Sequence, residues 1–151
     1  MNTLRFAFAL LLGALATAAA AQRALVPIVD YKDVLVATSS GKPVTPEQVR
    51  DAIAAAGKRL NWEFTFTANN GLVGTLLVNN KHTVSIDIGV AADRYSVTYR
   101  NSIDMKYRIS GSPPNYYAAN AIPAGVRVIH PAYDQWVKTL MAAIDAELRR
   151  L

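Results

Sequence analysis

Between Arg94 and Ile109 the chain reads RYSVTYRNSIDMKYRI. Tyr95, Val97, Tyr99, Ile103, Met105, Tyr107 and Ile109 take odd positions, and the even ones carry Arg94, Ser96, Thr98, Arg100, Ser102, Asp104, Lys106 and Arg108. A period of two sends alternate side chains to opposite faces, which predicts a half-buried β-strand. At ~3.3 Å per residue it would run to roughly 50 Å, far beyond an ordinary strand. A bend or bulge is therefore expected near Asn101 and Ser102, where the alternation misses a beat. A strand of this length can pair with two different neighbours.

Earlier in the chain, Val26–Val36 is rich in β-branched residues and predicts a first strand. Pro27 cannot donate to a ladder, so that end is an edge or lies outside the sheet. Thr45-Pro46-Glu47-Gln48 carries a helix start: a capping hydroxyl, a proline suited to the first turn, and a glutamine able to reach back. Val49, Ala52, Ile53, Ala56 and Leu60 then form one apolar stripe. Gly57 either ends this helix early or lets it lie close against the sheet. Residues 61–68 alternate again, with Trp62, Phe64 and Phe66 inward. Asn69-Asn70-Gly71 makes a hairpin loop, with the glycine expected in the left-handed conformation. In 72–78, Leu72, Gly74, Leu76 and Val78 share the aromatic face. Val73, Thr75 and Leu77 then lie outside, so either the strand is partly covered on both faces or its register is displaced by one. After a turn at Asn79-Asn80-Lys81, residues 82–90 place Val84, Ile86, Ile88 and Val90 inward.

Residues 111–125 (GSPPNYYAANAIPAG) form the longest irregular stretch. A short strand at 126–129 follows, and His130-Pro131 opens a last helix striped by Tyr133, Trp136, Val137, Leu140, Ile144, Leu148 and Leu151. The expected class is α+β in the order β-α-β-β-β-β-α. The helical crossover makes the first and second strands run the same way, which gives the sheet order 2-3-4-5-1 with both helices on one face. Trp136 is expected in the core, where alanine would cost about 3–5 kcal/mol.

The first residues change the picture of where the protein works. Residues 1–21 hold Arg5, an apolar run from Phe6 to Leu15 and an A-x-A site at Ala19 and Ala21, the pattern of a signal peptide cleaved before Gln22. A membrane anchor would want about 20 apolar residues, more than this run offers. Residues 22–151 are then expected to be a single domain in the periplasm or outside the cell. There are no cysteines, which excludes a lipid anchor at the cleavage site, disulfides and thiolate chemistry. The chain carries a formal charge of +5; without Arg5, fifteen Lys and Arg face eleven acidic residues, or +4. Such a charge favours anionic partners, among them lipid head groups, wall polymers and acidic proteins. The basic residues are nevertheless dispersed, as on any soluble surface, and nothing singles out nucleic acid.

Chemistry is sparse. His82 and His130 have no obvious third ligand, so no metal or cofactor is expected. There is no G-x-S-x-G elbow, no phosphate-binding glycine loop, and the acids at Asp30, Asp33, Asp87 and Asp104 sit where solvated acids usually sit. No catalytic residue is assigned. Two features could carry binding. One is the outer sheet face, with Thr65, Thr67, Thr83, Ser85, Asp87, Ser96, Thr98 and Arg100, a pattern that is equally that of a solvated sheet. The other is Tyr116 and Tyr117 in the proline-bearing loop, rings that serve interfaces when exposed and the core when folded back. A third reading is a pocket between sheet and last helix, walled by Tyr95, Tyr99, Tyr107 and Trp136, although such a stripe also reads as plain core.

Four pieces, IVDYKDVLV, GKPVTPEQVRDAI, YSVTYRNSIDMKY and IHPAYDQWVKTL, together resemble a group of small uncharacterised exported proteins and lipoproteins of Gram-negative bacteria. The resemblance spans most of Ile28 to Leu140 and implies an envelope location without an assigned activity. The chain departs from that group in lacking a lipidation cysteine and in its long proline–tyrosine loop. The expectation is a non-enzymatic periplasmic domain that binds a protein or polymer of the cell envelope. Its alternatives are a small hydrolase using His130 as base, or a small-ligand carrier.

Overall fold

The computed structural model describes residues 24–111 and 122–151. The expected signal peptide and the two loop tyrosines, Tyr116 and Tyr117, lie outside them. Two antiparallel sheets and two helices make an α+β fold. Strands β1 (Val26–Pro27) and β2 (Tyr31–Leu35) precede helix α1 (Pro46–Lys58). A meander follows: β3 (Trp62–Phe66), β4 (Leu72–Val78), β5 (His82–Val90) and β6 (Arg94–Ile103). Short strands β7 (Arg108–Ile109) and β8 (Arg127–Ile129) lead into helix α2 (Ala132–Leu148). The main sheet is ordered β2-β6-β5-β4-β3, the order expected for its five strands.

Local chemistry accounts for the elements. Thr45 caps α1 through a reciprocal pair: the Gln48 amide donates to Thr45 Oγ1 at 3.3 Å, and the Thr45 amide donates to Gln48 Oε1 at 2.8 Å. The turn after β4 has both central residues left-handed, Asn79 at φ 54° and Asn80 at φ 51°. This conformation suits the twist of a hairpin, and asparagine tolerates it. In the loop before β4 the left-handed residues are Asn69 and Asn70, whereas Gly71 has φ −73°. The glycine expected to supply positive φ serves close approach instead, since a Cβ there would stand 2.5 Å from Thr67 Oγ1.

One core lies between the sheet and the two helices. Val49, Ile53 and Ala56 of α1 and Val137, Leu140 and Ile144 of α2 are fully buried. They pack with Leu72, Val84, Ile86, Ile88, Tyr95 and Val97 from the sheet. The register of β4 is as expected, with Phe66 opposite Leu72 and Trp62 opposite Leu76. Val73 and Thr75 are half-covered on the other face, while Leu77 is exposed. Phe66 departs from expectation: it is 57% exposed at the end of an edge strand, beneath the Arg50 guanidinium, 5.1 Å from the ring centroid. Gly57 does not end α1. A Cβ there would meet Phe64 Cε2 at 2.1 Å, and a Cβ on Gly74 would meet Phe64 Cε1 at 2.7 Å. The Phe64 ring therefore fills a slot between Gly57 of α1 and Gly74 of β4.

Both long strands of the sequence reading are broken. The first splits at its proline end, and β1 joins a second sheet of order β1-β8-β7. The strand beginning at Arg94 carries its irregularity beside Arg100: Ser85 pairs with Asn101, but Ile86 pairs with Tyr99. The extra residue inverts the facing beyond it, so Ser102 lies opposite core residue Val84, and Ile103, expected inward, is 62% exposed opposite Thr83. Asp104 and Lys106, at φ 56° and 53°, then redirect the chain, burying Met105 and starting β7. The segment between β7 and β8 is closed at its base. The Ser110 amide donates to Val126 O at 2.8 Å, the Gly125 amide to Ser110 O at 3.0 Å, and the Val126 amide to Ser110 Oγ at 2.9 Å. The Ser110 hydroxyl donates to the Pro123 carbonyl.

Candidate functional site

The outer-face residues do not converge. Thr65 and Thr67 are exposed at the far edge of the main sheet. Ser85 is buried against Thr75, hydroxyl to hydroxyl at 3.2 Å. Ser96 Oγ accepts from the Asp33 amide at 3.4 Å. Asp87 pairs with Arg100 at 2.8 Å, and the Thr98 hydroxyl donates to Asp87 O at 3.5 Å. Asp87, Thr98 and Arg100 thus form one local group in which the Arg100 and Asp87 side chains remain 51% and 45% exposed. Opposite-charge cross-strand contacts of this kind stabilise a sheet modestly.

The histidines are also engaged locally. His130 Nδ1 accepts from the Ala132 amide at 3.2 Å, which is a use at the start of α2. His82 Nδ1 donates to Asp104 O at 2.9 Å. Among the described residues no three His, Asp or Glu side chains are placed to hold a metal ion, and no helix is long and apolar enough to cross a membrane.

An aromatic and ionic cluster at the junction of the two sheets was not legible beforehand. Asp30 accepts from the Tyr99 amide at 2.9 Å and pairs with Arg127 at 2.5 Å. Tyr99 stacks on Tyr107 at 5.2 Å, meets Tyr133 edge-on at 5.5 Å, and hydrogen-bonds Ser102 Oγ at 2.9 Å. The Tyr31 hydroxyl donates to Asp134 at 3.0 Å. Burial, followed by that hydrogen bond, pushes the Tyr31 hydroxyl above the usual phenol range. Burial likewise raises Tyr99 and, more strongly, Tyr133, whose hydroxyl has no hydrogen-bond partner among the described residues. The geometry joins the small sheet to the large one: Asp30 is committed to a backbone amide and a guanidinium, and Asp134 to the Tyr31 hydroxyl and Lys138.

A cleft of about 400 Å³ opens at the end of the main sheet against α2. Its walls come from three places. Leu60, Asn61 and Trp62 mark the passage from α1 into β3; Leu76 to Asn79 end β4; and Gln135, Trp136 and Thr139 share one side of α2. Backbone geometry sets this end of the sheet, since Asn61 (φ 61°) and Asn79 (φ 54°) turn the chain where β3 begins and β4 stops. Both tryptophans of the chain line the cleft. No lining residue is charged. Trp62 is buried, whereas Trp136 is half-buried and packs against the core from its edge. Truncation of Trp136 is therefore expected to cost less than the about 3–5 kcal/mol of a fully buried ring. A pocket in this part of the fold was expected, but with other walls: Tyr95 is core, and Tyr99 and Tyr107 belong to the junction cluster. A second hollow, of about 560 Å³, lies at the β5–β6 end, where Lys81, Asp104 and Lys106 are solvated and Met105 and Tyr107 are the apolar surfaces. The tryptophan-lined cleft is the smaller of the two and carries no charged side chain. Comparisons of the chain with protein-family models, with curated proteins and with solved structures found no match.

Proposed function

We propose that the protein is a non-enzymatic binding domain of the cell envelope that holds a segment of an envelope polymer, or a small ligand, in the cleft between the main sheet and α2. The observation that carries this reading is the placement of both tryptophans in one uncharged concavity of about 400 Å³. Ligand sites are typically concave, largely apolar, supplied with a few neutral polar groups, and roughly 300–1,000 Å³ in volume. A half-covered indole is the kind of side chain that gains most from being covered by a partner. The signal-peptide pattern of residues 1–21 supports the envelope location. The local engagement of His130 and His82 supports binding over hydrolysis.

The test is tryptophan emission of the full-length chain titrated with envelope polysaccharide and protein fractions, compared with Trp136→Ala. The expected result is a saturable change that the substitution weakens about tenfold. A response of equal strength in both proteins would move the site elsewhere, and no response to any fraction would overturn the proposal.

A further inference from the structure

We infer that the cleft's ligand is an uncharged saccharide; this rests on the cleft being the binding site. The chemistry of the walls excludes the other classes in turn. The chain is basic, yet its cleft is lined by aliphatic, indole, amide and hydroxyl groups only. An ion seated there would lose hydration and find no counter-charge, a penalty that grows as water is excluded. A hydrocarbon would suit Leu60, Leu76 and the two indoles, but it would strand the amides of Asn61, Asn79 and Gln135 and the hydroxyl of Thr139 against an apolar surface. Each polar group left without a partner in that way weakens binding.

A neutral sugar meets both demands. Its ring presents C–H faces that lie on an indole, and its rim presents hydroxyls that donate and accept. The facing side chains are matched to this rim. A carboxamide offers two donors and an acceptor, and the Thr139 hydroxyl, which already donates to Gln135 O at 2.8 Å, retains its lone pairs for a donor. The backbone that carries two of the carboxamides is fixed in left-handed turns at Asn61 and Asn79, so little ordering remains to be done on binding. An uncharged peptide also offers neutral donors and acceptors, but outside its proline rings it lacks the flat C–H face that a half-covered indole accepts, and it is the competing outcome of the experiment.

The full-length chain is titrated, by tryptophan emission and by calorimetry, with N,N′-diacetylchitobiose, cellobiose, a galacturonate disaccharide, a capped oligoalanine peptide and a neutral naphthylamine dye. A neutral disaccharide is expected to give a saturable response at least tenfold tighter than the galacturonate. Gln135→Ala, on an exposed helix position, is expected to weaken that response severalfold while leaving the thermal midpoint unchanged. Trp136→Phe, which keeps a ring, should retain more affinity than Trp136→Ala. If the dye or the peptide binds in a Trp136-dependent manner and no saccharide does, the cleft stands as a site and the saccharide assignment falls. If none of the five binds, the assignment falls and the cleft loses its standing as the site as well.

Discussion

Replacing Gly57 by alanine sets two effects of opposite sign against each other. Alanine in a helix interior is favoured over glycine by about 0.8–1 kcal/mol, and position 57, one residue from the end of α1, should realise less than all of it. The new methyl, however, would stand 2.1 Å from Phe64 Cε2, 2.6 Å from Cζ and 3.2 Å from Trp62 Cβ. Carbon atoms pack best at about 3.5–4.0 Å, so the nearest pair is displaced by well over 1 Å. Phe64 cannot slide deeper along the slot, because its other edge already lies over Gly74. Either the ring swings out or α1 lifts from the sheet. Overpacking of this kind costs about 1–3 kcal/mol; a value in the upper half of that range, less the helical gain, leaves a net loss of about 1–2 kcal/mol. Urea titration followed by far-ultraviolet circular dichroism reads this as a lower midpoint at unchanged slope. Combining Gly57→Ala with Phe64→Leu should recover most of the loss as a favourable interaction energy. Gly89→Ala, where a Cβ meets nothing within 4 Å, should stay within about 0.5 kcal/mol of wild type. A Gly57→Ala protein as stable as wild type, or more so, would refute the slot argument.

Three further outcomes are expected. Asp30→Ala removes the acceptor of the Tyr99 amide and the partner of Arg127; with these side chains 23% and 39% exposed, solvent screening tempers the ion pair, and the loss should be about 2 kcal/mol by urea titration. An unchanged midpoint there would show that the junction is held by its rings alone. Burial, assisted by the nearby Asp145 carboxylate, pushes the Tyr95 hydroxyl up to about 12. A folded pKa above the unfolded one contributes stability that is complete below about pH 10 and lost as pH rises toward 12, roughly 2–3 kcal/mol for this one group. Tyr95→Phe should flatten that alkaline decline, and an identical decline in the variant would assign it to other groups. Ile103→Ser should change stability by less than about 0.5 kcal/mol, because the side chain faces solvent; a loss above about 1.5 kcal/mol would return it to the core.

The parts of the fold legible in the sequence are those written in local rules. Thr45 and Gln48 announce α1, alternation marks the four meander strands, asparagine-rich turns separate the first three of them, and the crossover fixes the sheet order. What was not legible depends on contacts distant along the chain. A bulge was expected near Asn101 and Ser102 and lies beside Arg100, but residue identity alone does not say which of several polar residues is the extra one, and so did not reveal that Ile103 would face outward. The splitting of the first strand was announced by Pro27, but its new partner, β8, lies a hundred residues away in the chain. Asp30 looked like a solvated acid because its partners, the Tyr99 amide and Arg127, meet it only after folding. The cleft left a faint signal: the only two tryptophans each adjoin a neutral amide side chain, Asn61 beside Trp62 and Gln135 beside Trp136. Helical phase assigned Trp136 to the core because phase reports which side of a helix faces inward, not whether the neighbouring layer extends far enough to cover it.

The closure at Ser110 has a practical consequence. Four hydrogen bonds tie Ser110 to Pro123, Gly125 and Val126 ahead of β8, so the two ends of the intervening segment meet at a fixed doorway. Replacing Ser110 by alanine would remove the two of these bonds that use its hydroxyl, and the pairing of β7 with β8 should then be the first part of the fold to loosen.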